Sequence, residues 1–387
     1  MKQKAVIIDT YSKGNYHEVI NLGLLMMVSK LYESVTYIAD VSSCNNMKSL
    51  IKQSNLCCDN VTYKCLHIPN IKIKKQGLHY LLHIIQVSWL NFIYYCKTDN
   101  KCDVFYNNNI FFAIFLIQFL LPFKRNKIYD ICHNEMEMID KEFKYNLSLF
   151  PIVSFLRLSF KYVRLSNRMN FIVLSEDMAT YLKTIVCKRN ADRIKWIDHC
   201  YIRPSVKILK KIETYDGIKI GIPGAITNKR GLPNLKQLLP MVSQKNVRVY
   251  AISMIAEDLK NKNLVILNKE RALLPFDVYS SYVNQMDVLL FLYDVNSYKL
   301  TASGAILEAI WQGKPVIALS NYYFKYIFDK FGDIGILADD IETLSRKINS
   351  MSKSDFVEWH NNIARAKHYL HPSNTKHQLL EIINEEK

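Results

Sequence analysis

No Asp-x-Asp pair occurs anywhere in the sequence, so the paired carboxylates that would hold a divalent ion on a diphosphate are missing and no metal is expected. The opening strand is not followed by Gly-x-Gly-x-x-Gly, which leaves a nicotinamide cofactor unsupported. Nine cysteines (Cys44, Cys57, Cys58, Cys65, Cys96, Cys102, Cys132, Cys187, Cys200) are an odd number without paired metal-ligand spacing, as expected of reduced thiols in a cytoplasm. The most apolar stretch, residues 110–123, falls short of the roughly 20 residues a membrane-spanning helix needs. The N-terminal MKQKAVIID breaks at Asp9, which marks a first strand and not a signal peptide. Acidic residues are scarce: 35 against 51 basic ones leave a formal net charge of +16, which calls for an anionic partner. No nucleic-acid signature of defined spacing accompanies that charge, so an anionic membrane surface and phosphorylated substrates lead.

What is present reads as a globular α/β chain: 387 residues, 49% hydrophobic and 22% charged, enough for two domains of ordinary size. Residues 5–8 form a buried strand, the loop 9–17 carries Gly14, and from Glu18 the apolar positions recur with helical spacing before a second strand at 35–39. His17 and Glu18 stand at the carboxyl end of the first strand, where open parallel sheets place ligands. His17 either binds substrate or moves a proton there, or belongs to a capping cluster. The run Asn107 to Asn109 supplies an N-cap before an apolar helix over 110–121, expected to be buried against a sheet. His133 ends the next strand, as a structural residue or facing a substrate. Residues 148–168 read as a helix that aligns Arg157, Lys161, Arg164 and Arg168 on one face, either a solvated stripe or a seat on anionic lipid. Residues 196–202 read as the last strand of this half and its exit. The expected division is a first domain over 1–202, a linker over 203–216, a second domain over 217–370 and a C-terminal helix within 371–387 that crosses back.

The second half is organised around residues 298–320, YKLTASGAILEAIWQGKPVIALS. Ser303 and Gly304 open a helix, Gly313 stops it, and Lys314-Pro315 leads into an apolar strand. The free amides at such a helix start suit a phosphate, with Lys299 just before them. Glu308, further in, is placed to accept hydrogen bonds from vicinal sugar hydroxyls or is a solvated surface charge. Upstream, the loop 224–231 holds Lys229 and Arg230 between Gly224 and Gly231, cations suited to a departing diphosphate.

Ser303, Gly304, Glu308, Ala309, Gly313, Pro315 and Val316 resemble the donor-site signature of GT-B nucleotide-sugar glycosyltransferases, Gly-x-x-x-x-Glu-Ala followed by Gly-x-Pro-Val. The Ser-Gly variant is similar to transferases of family 4 (group 1) type that build bacterial surface polysaccharides such as capsule and lipopolysaccharide. Leu300 occupies the place of a second glutamate that family often has, and Ala225 that of an arginine in the 224–231 loop. The resemblance implies two Rossmann-like domains facing across a cleft, and a metal-independent, cofactor-free, retaining hexosyltransferase. It implies donor contacts from Gly224, Lys229, Arg230, Tyr298, Ser303, Gly304 and Glu308, acceptor contacts from His17, Glu18 and His133, and catalytic roles for His17, Arg230 and Lys299. The expected partners are a nucleotide diphosphate sugar, a lipid-linked glycan acceptor and the inner face of the cytoplasmic membrane, with no nucleic acid. Two other readings stay open: a GT-B-fold epimerase of nucleotide sugars using Glu18 and Glu135, and a silent scaffold that binds membrane or nucleic acid through its basic surface.

Overall fold

The structure, a computed structural model, describes residues 2–14, 17–68, 78–107, 111–140, 150–204, 211–257, 259–270 and 274–385. The basic run Lys72, Lys74 and Lys75 lies outside the described residues. The chain divides into two compact units, one of Met1–Arg203, Leu300–Ala302 and Leu370–Lys387, the other of Pro204–Lys299 and Ser303–Tyr369.

The first unit runs β1 (Lys2–Asp9), α1 (Glu18–Leu31), β2 (Tyr32–Asp40), α2 (Val41–Gln53), β3 (Val61–Leu66), α3 (Leu78–Cys96), β4 (Asp103–Asn107), α4 (Phe111–Leu120), β5 (Ile128–Ile131), α5 (Glu137–Asp140), α6 (Phe150–Lys161), β6 (Met169–Val173), α7 (Glu176–Ile185), α8 (Lys188–Ala191) and β7 (Ile194–Trp196). These strands form one parallel sheet in the order β3-β2-β1-β4-β5-β6-β7. Strands such as β6, buried at every position, read as continuous apolar runs because a parallel sheet is covered on both faces.

The second unit runs β8 (Ile218–Ile222), α9 (Leu232–Met241), β9 (Val247–Ala251), β10 (Leu264–Ile266), α10 (Phe276–Asn284), β11 (Val288–Phe291), α11 (Gly304–Trp311), β12 (Val316–Leu319), α12 (Tyr322–Phe331), β13 (Gly335–Ala338), α13 (Ile341–Ser350) and α14 (Asp355–Tyr369). Its parallel sheet has the order β10-β9-β8-β11-β12-β13. Ile220, Val249, Leu290 and Ile317 of the strands pack with Leu235 and Leu238 of α9 and Leu344 and Ile348 of α13. Each such side chain contributes about 1.5–3 kcal/mol by leaving water. In both sheets the strand order reverses beside the first strand of the unit, between β1 and β4 and between β8 and β11. Ligands of open α/β sheets bind outside the carboxyl ends of the strands at that point. The last helix, α15 (Pro372–Asn384), returns to the first unit and packs on α1.

Four local expectations change. Helix α6 stops at Lys161, so Arg164 and Arg168 do not continue a helical stripe. The Arg168 guanidinium instead caps the carbonyls of Leu121 and Lys124, which fixes the entry to β6. Helix α4 buries Ala113, Ile114 and Ile117 but leaves Phe119 exposed, so it is covered on one face only. Strand β7 ends at Trp196; beyond it, Gln378 of α15 accepts from the Asp198 amide (2.8 Å) and donates to the Asp198 carboxylate (2.7 Å), doing for the exit segment what a strand ladder would have done. Of the residues expected to cap α4, Asn107 instead closes β4 and turns its side chain into a buried polar network, and 108 and 109 lie outside the described residues.

Candidate functional site

At the switch point of the second sheet, the loops after β8 and β11 lie side by side. Gly231, at φ 84°, starts α9, and a Cβ there would stand 2.5 Å from the Leu292 carbonyl oxygen, so only glycine lets these loops approach. Gly224, Ala225 and Arg230 line a recess with Leu292 and Tyr293 that encloses about 10 Å³, barely one water, so it is a packing recess and not itself a sugar pocket. Lys229 and Arg230 are exposed, and the Arg230 charge acts on the Tyr293 hydroxyl. Burial and the neighbouring Tyr298 nevertheless raise the Tyr293 pKa, so it stays a neutral donor.

Tyr298 has φ 61°, a backbone state that a bulky side chain rarely adopts. Its ring packs 5.2 Å from Tyr293 and 6.2 Å from Phe324, and Phe291 supports both (6.1 Å to Tyr293, 5.4 Å to Phe324). This aromatic cluster holds a strained turn immediately ahead of α11, a place where strain accompanies function. Lys299 does not line the Arg230 recess; its ammonium sits 5.5 Å from the ring of Tyr322.

Ser303 is the N-cap of α11, yet its hydroxyl makes no capping bond. The Oγ is buried and finds no partner among the described residues. A serine normally accepts an amide hydrogen at this position, so an unused buried oxygen is a cost the fold carries. Gly304 is exposed and nothing lies within 4 Å of where its Cβ would be, so the flank of the first turn of α11 is open. At its other end, Gly313 (φ 69°) turns the Gly313 and Lys314 amides back onto Ile310 (3.1 Å) and Ala309 (2.8 Å). Glu308 is buried, not a solvated surface charge, and Gln312 donates to its carboxylate. Leu300 is buried too.

In the first unit, the switch point gathers Asp9, Asn107, His133 and His17. Asn107 donates through Nδ2 to Asp9 (3.3 Å) and to Asn21, and Asn21 donates to the same Asp9 oxygen at 2.8 Å. The Asn107 Oδ1 therefore accepts from His133 Nε2 at 2.7 Å, which leaves His133 Nδ1 as the basic nitrogen. Burial first, then His17 and His199, hold the His133 pKa well below its ordinary value, so the ring is neutral near pH 7. His17, at φ 57° on the threshold of α1, stands 4.5 Å from the His133 ring centroid to centroid. Burial also brings His199 down to about 4 and pushes Glu135 up to about 7. Glu18 is engaged internally: Arg203 lies 3.1 Å from one of its oxygens and Asn46 donates to the other at 2.6 Å.

Sequence reasoning had not marked Asp9, Asn21, Asn107 or Tyr293 as site residues. A signal existed for two of them, because Asp9 and Asn107 are polar residues that directly follow the apolar runs 5–8 and 104–106 at the ends of their strands. Among the described residues no three His, Cys, Asp or Glu side chains gather as a metal-binding group, and no helix is long and apolar enough to cross a membrane.

No family model and no curated protein matches the sequence. Solved structures do match over the full length. HepE of Anabaena in complex with UDP has a TM-score of 0.61 at 13% identity and covers 100% of each chain. Sucrose-phosphate synthase of Thermosynechococcus elongatus gives 0.63 at 13%, covering 100% of this chain and 99% of its own. WaaG, a glycosyltransferase involved in lipopolysaccharide biosynthesis, gives 0.58 at 15%, covering 98% and 99%. Two parallel α/β sheets in one chain, matched end to end by these proteins, give the chain the GT-B fold.

Proposed function

We propose that the chain is a glycosyltransferase that moves a sugar from a nucleotide diphosphate donor to a glycan acceptor, and that the second unit holds the donor. The observation that carries this is the start of α11: a buried Ser303 hydroxyl without a partner among the described residues, beside an exposed and open first turn at Gly304. A diphosphate oxygen would satisfy the hydroxyl and meet the positive end of the helix dipole. HepE, whose fold this chain shares, binds UDP and UDP-glucose, which makes uridine nucleotides the first donors to test.

In this reading Arg230 and Lys299 take up negative charge on the departing nucleoside diphosphate, without a metal ion. Glu308 accepts hydrogen bonds from sugar hydroxyls, and Gly224, Lys229 and Tyr298 shape the donor loop. The first unit takes the acceptor: His133, neutral with Nδ1 as its basic atom, works with His17, and Glu18 anchors the α1 entrance through Arg203 rather than touching substrate. That engagement removes one of the two carboxylates an epimerase would use. Retention of configuration, a lipid-linked acceptor of a bacterial surface polysaccharide and work at the inner membrane face belong to the same proposal.

The test is a thermal-stability screen with UDP, GDP, CDP and their sugars. A nucleotide at one hundred times its dissociation constant adds about 2.7 kcal/mol, a rise of several degrees. If no nucleoside diphosphate raises the melting temperature, the donor reading fails.

A further inference from the structure

The three most exposed aromatic residues among those described, Phe119, Phe123 and Tyr162, belong to segments at one edge of the first sheet. Segments entering β5, β6 and β7 meet there, at the amino ends of the strands and so at the opposite edge from His17 and His133. Gln118 at the end of α4 donates to the Arg164 carbonyl at 2.8 Å, and Arg193 donates to the Asn167 carbonyl at 2.5 Å, so three loops distant in sequence are tied together. Between them lies an open concavity of about 620 Å³ lined by Gln118, Pro122, Arg164, Arg168, Arg189 and Arg193. Phe119 and Phe123 are chain neighbours of the lining residues Gln118 and Pro122, Tyr162 lies two residues before Arg164, and the three are 74%, 81% and 76% exposed. Leu158 lies one helical turn before Tyr162 and is exposed as well.

Charge on this edge is one-sided. Arg125, Lys161, Arg164, Lys188 and Arg189 are exposed, and Asp192 is the one acid among 118–127, 157–168 and 187–193. Exposed aromatic rings surrounded by cations would lower solubility without a partner, and their chemistry fits a surface that is apolar inside and anionic at its face. Arg168 is not part of the free charge, because its guanidinium is already committed to the Leu121 and Lys124 carbonyls.

We propose that this edge is a docking surface for an anionic phospholipid bilayer, with Phe119, Phe123 and Tyr162 entering the headgroup layer and Arg164 and Arg189 meeting lipid phosphates. The surface is built from three loops by the fold and is not the single helical stripe that the sequence suggests. The inference rests on the membrane half of the proposed function and not on its donor chemistry, and vesicle binding is measured without donor, so the two stand or fall separately.

The experiment is co-sedimentation of the full chain with vesicles of phosphatidylcholine alone or mixed with phosphatidylglycerol, at low and high salt. The chain is expected on the mixed vesicles only, and less at high salt. With about fivefold per cation at the surface, an Arg164→Glu/Arg189→Glu variant should bind at least tenfold more weakly. A Phe119→Ser/Phe123→Ser variant should bind more weakly even at low salt. All these side chains project from the surface, so far-UV circular dichroism, melting temperature and any UDP-induced stabilisation should match the parent chain. Equal binding to both vesicle types, or parental binding by both variants, would overturn the proposal. So would an absence of vesicle binding together with stabilisation by inorganic phosphate that the arginine variant loses, because the site would then take a soluble anion.

Discussion

At the scale of single residues, the clearest sign of function is a polar atom the fold leaves unsatisfied. Ser303→Ala removes a buried hydroxyl without a partner among the described residues, so the apo protein should be as stable as the parent or slightly more so. Nucleotide affinity should fall by about tenfold, the loss of one hydrogen bond to a charged group. Calorimetric titration with UDP and a denaturant melt together decide it: lost stability with unchanged affinity would make Ser303 purely structural. Glu135 offers a second test. Its pKa rises on folding from 4.5 to about 7, so the native state keeps a proton that the unfolded chain releases, and stability falls as pH rises through that window. His199, lowered to about 4, works in the opposite sense: its contribution is whole above 6.5 and is lost as pH falls toward 4. Glu135→Gln isolates the first term and should gain on the order of 3 kcal/mol relative to the parent between pH 4.5 and 7.5. Urea midpoints across that range would show a flat difference if Glu135 is not held protonated. Sequence alone placed His133 at a strand end, but not the Asn107 and Asp9 chain that sets its tautomer. Those partners are 26 and more than a hundred residues away and meet only once the strands are ordered in the sheet.

At the scale of elements, two glycines that look alike in sequence do different work. Gly231→Ala places a methyl against the Leu292 carbonyl in a left-handed turn and should cost about 2–4 kcal/mol, read from denaturant midpoints. Gly304→Ala meets nothing within 4 Å and should leave the apo chain unharmed, even up to about 1 kcal/mol more stable. Its methyl would, however, stand where the proposed diphosphate approaches, so UDP affinity should drop. An unharmed Gly304→Ala chain with parental UDP affinity would move the phosphate site away from α11. Helix α11 was legible because Ser303-Gly304 opens it and Gly313 closes it, signals that depend on local backbone chemistry. The 148–168 helix was misjudged for the complementary reason. Helical spacing carries Arg164 and Arg168 past Lys161, but β6 must begin at Met169 to pair with β5, and that tertiary requirement ends the helix early. The open face of α4 was hard to read too, since a helix with Gln118 as its single polar residue carries little mark of which side is left uncovered.

At the scale of the whole molecule, sequence order and folding unit part company at the C-terminus. Helix α15 follows the second unit in the chain yet belongs to the first, where Thr375 donates to Met27, Gln378 holds Asp198, and Lys195 pairs with Glu385 at 2.5 Å. Leu379 and Ile383 are buried, so removing the helix exposes apolar surface on the first unit as well as orphaning the Asp198 segment. The proposed donor site uses none of these groups. A chain ending at Tyr369 should therefore lose several kcal/mol from the first unit, with buried side chains contributing about 1.5–3 kcal/mol each, and bind a hydrophobic dye. Its affinity for UDP should stay within about twofold of the parent, because the donor contacts lie within Pro204–Tyr369. Scanning calorimetry resolves the first effect and titration calorimetry the second. Loss of UDP binding by a truncated chain whose second unit still melts cooperatively would mean that the donor site draws on the first unit, and the assignment of donor binding to α11 and the 224–231 loop alone would have to be given up.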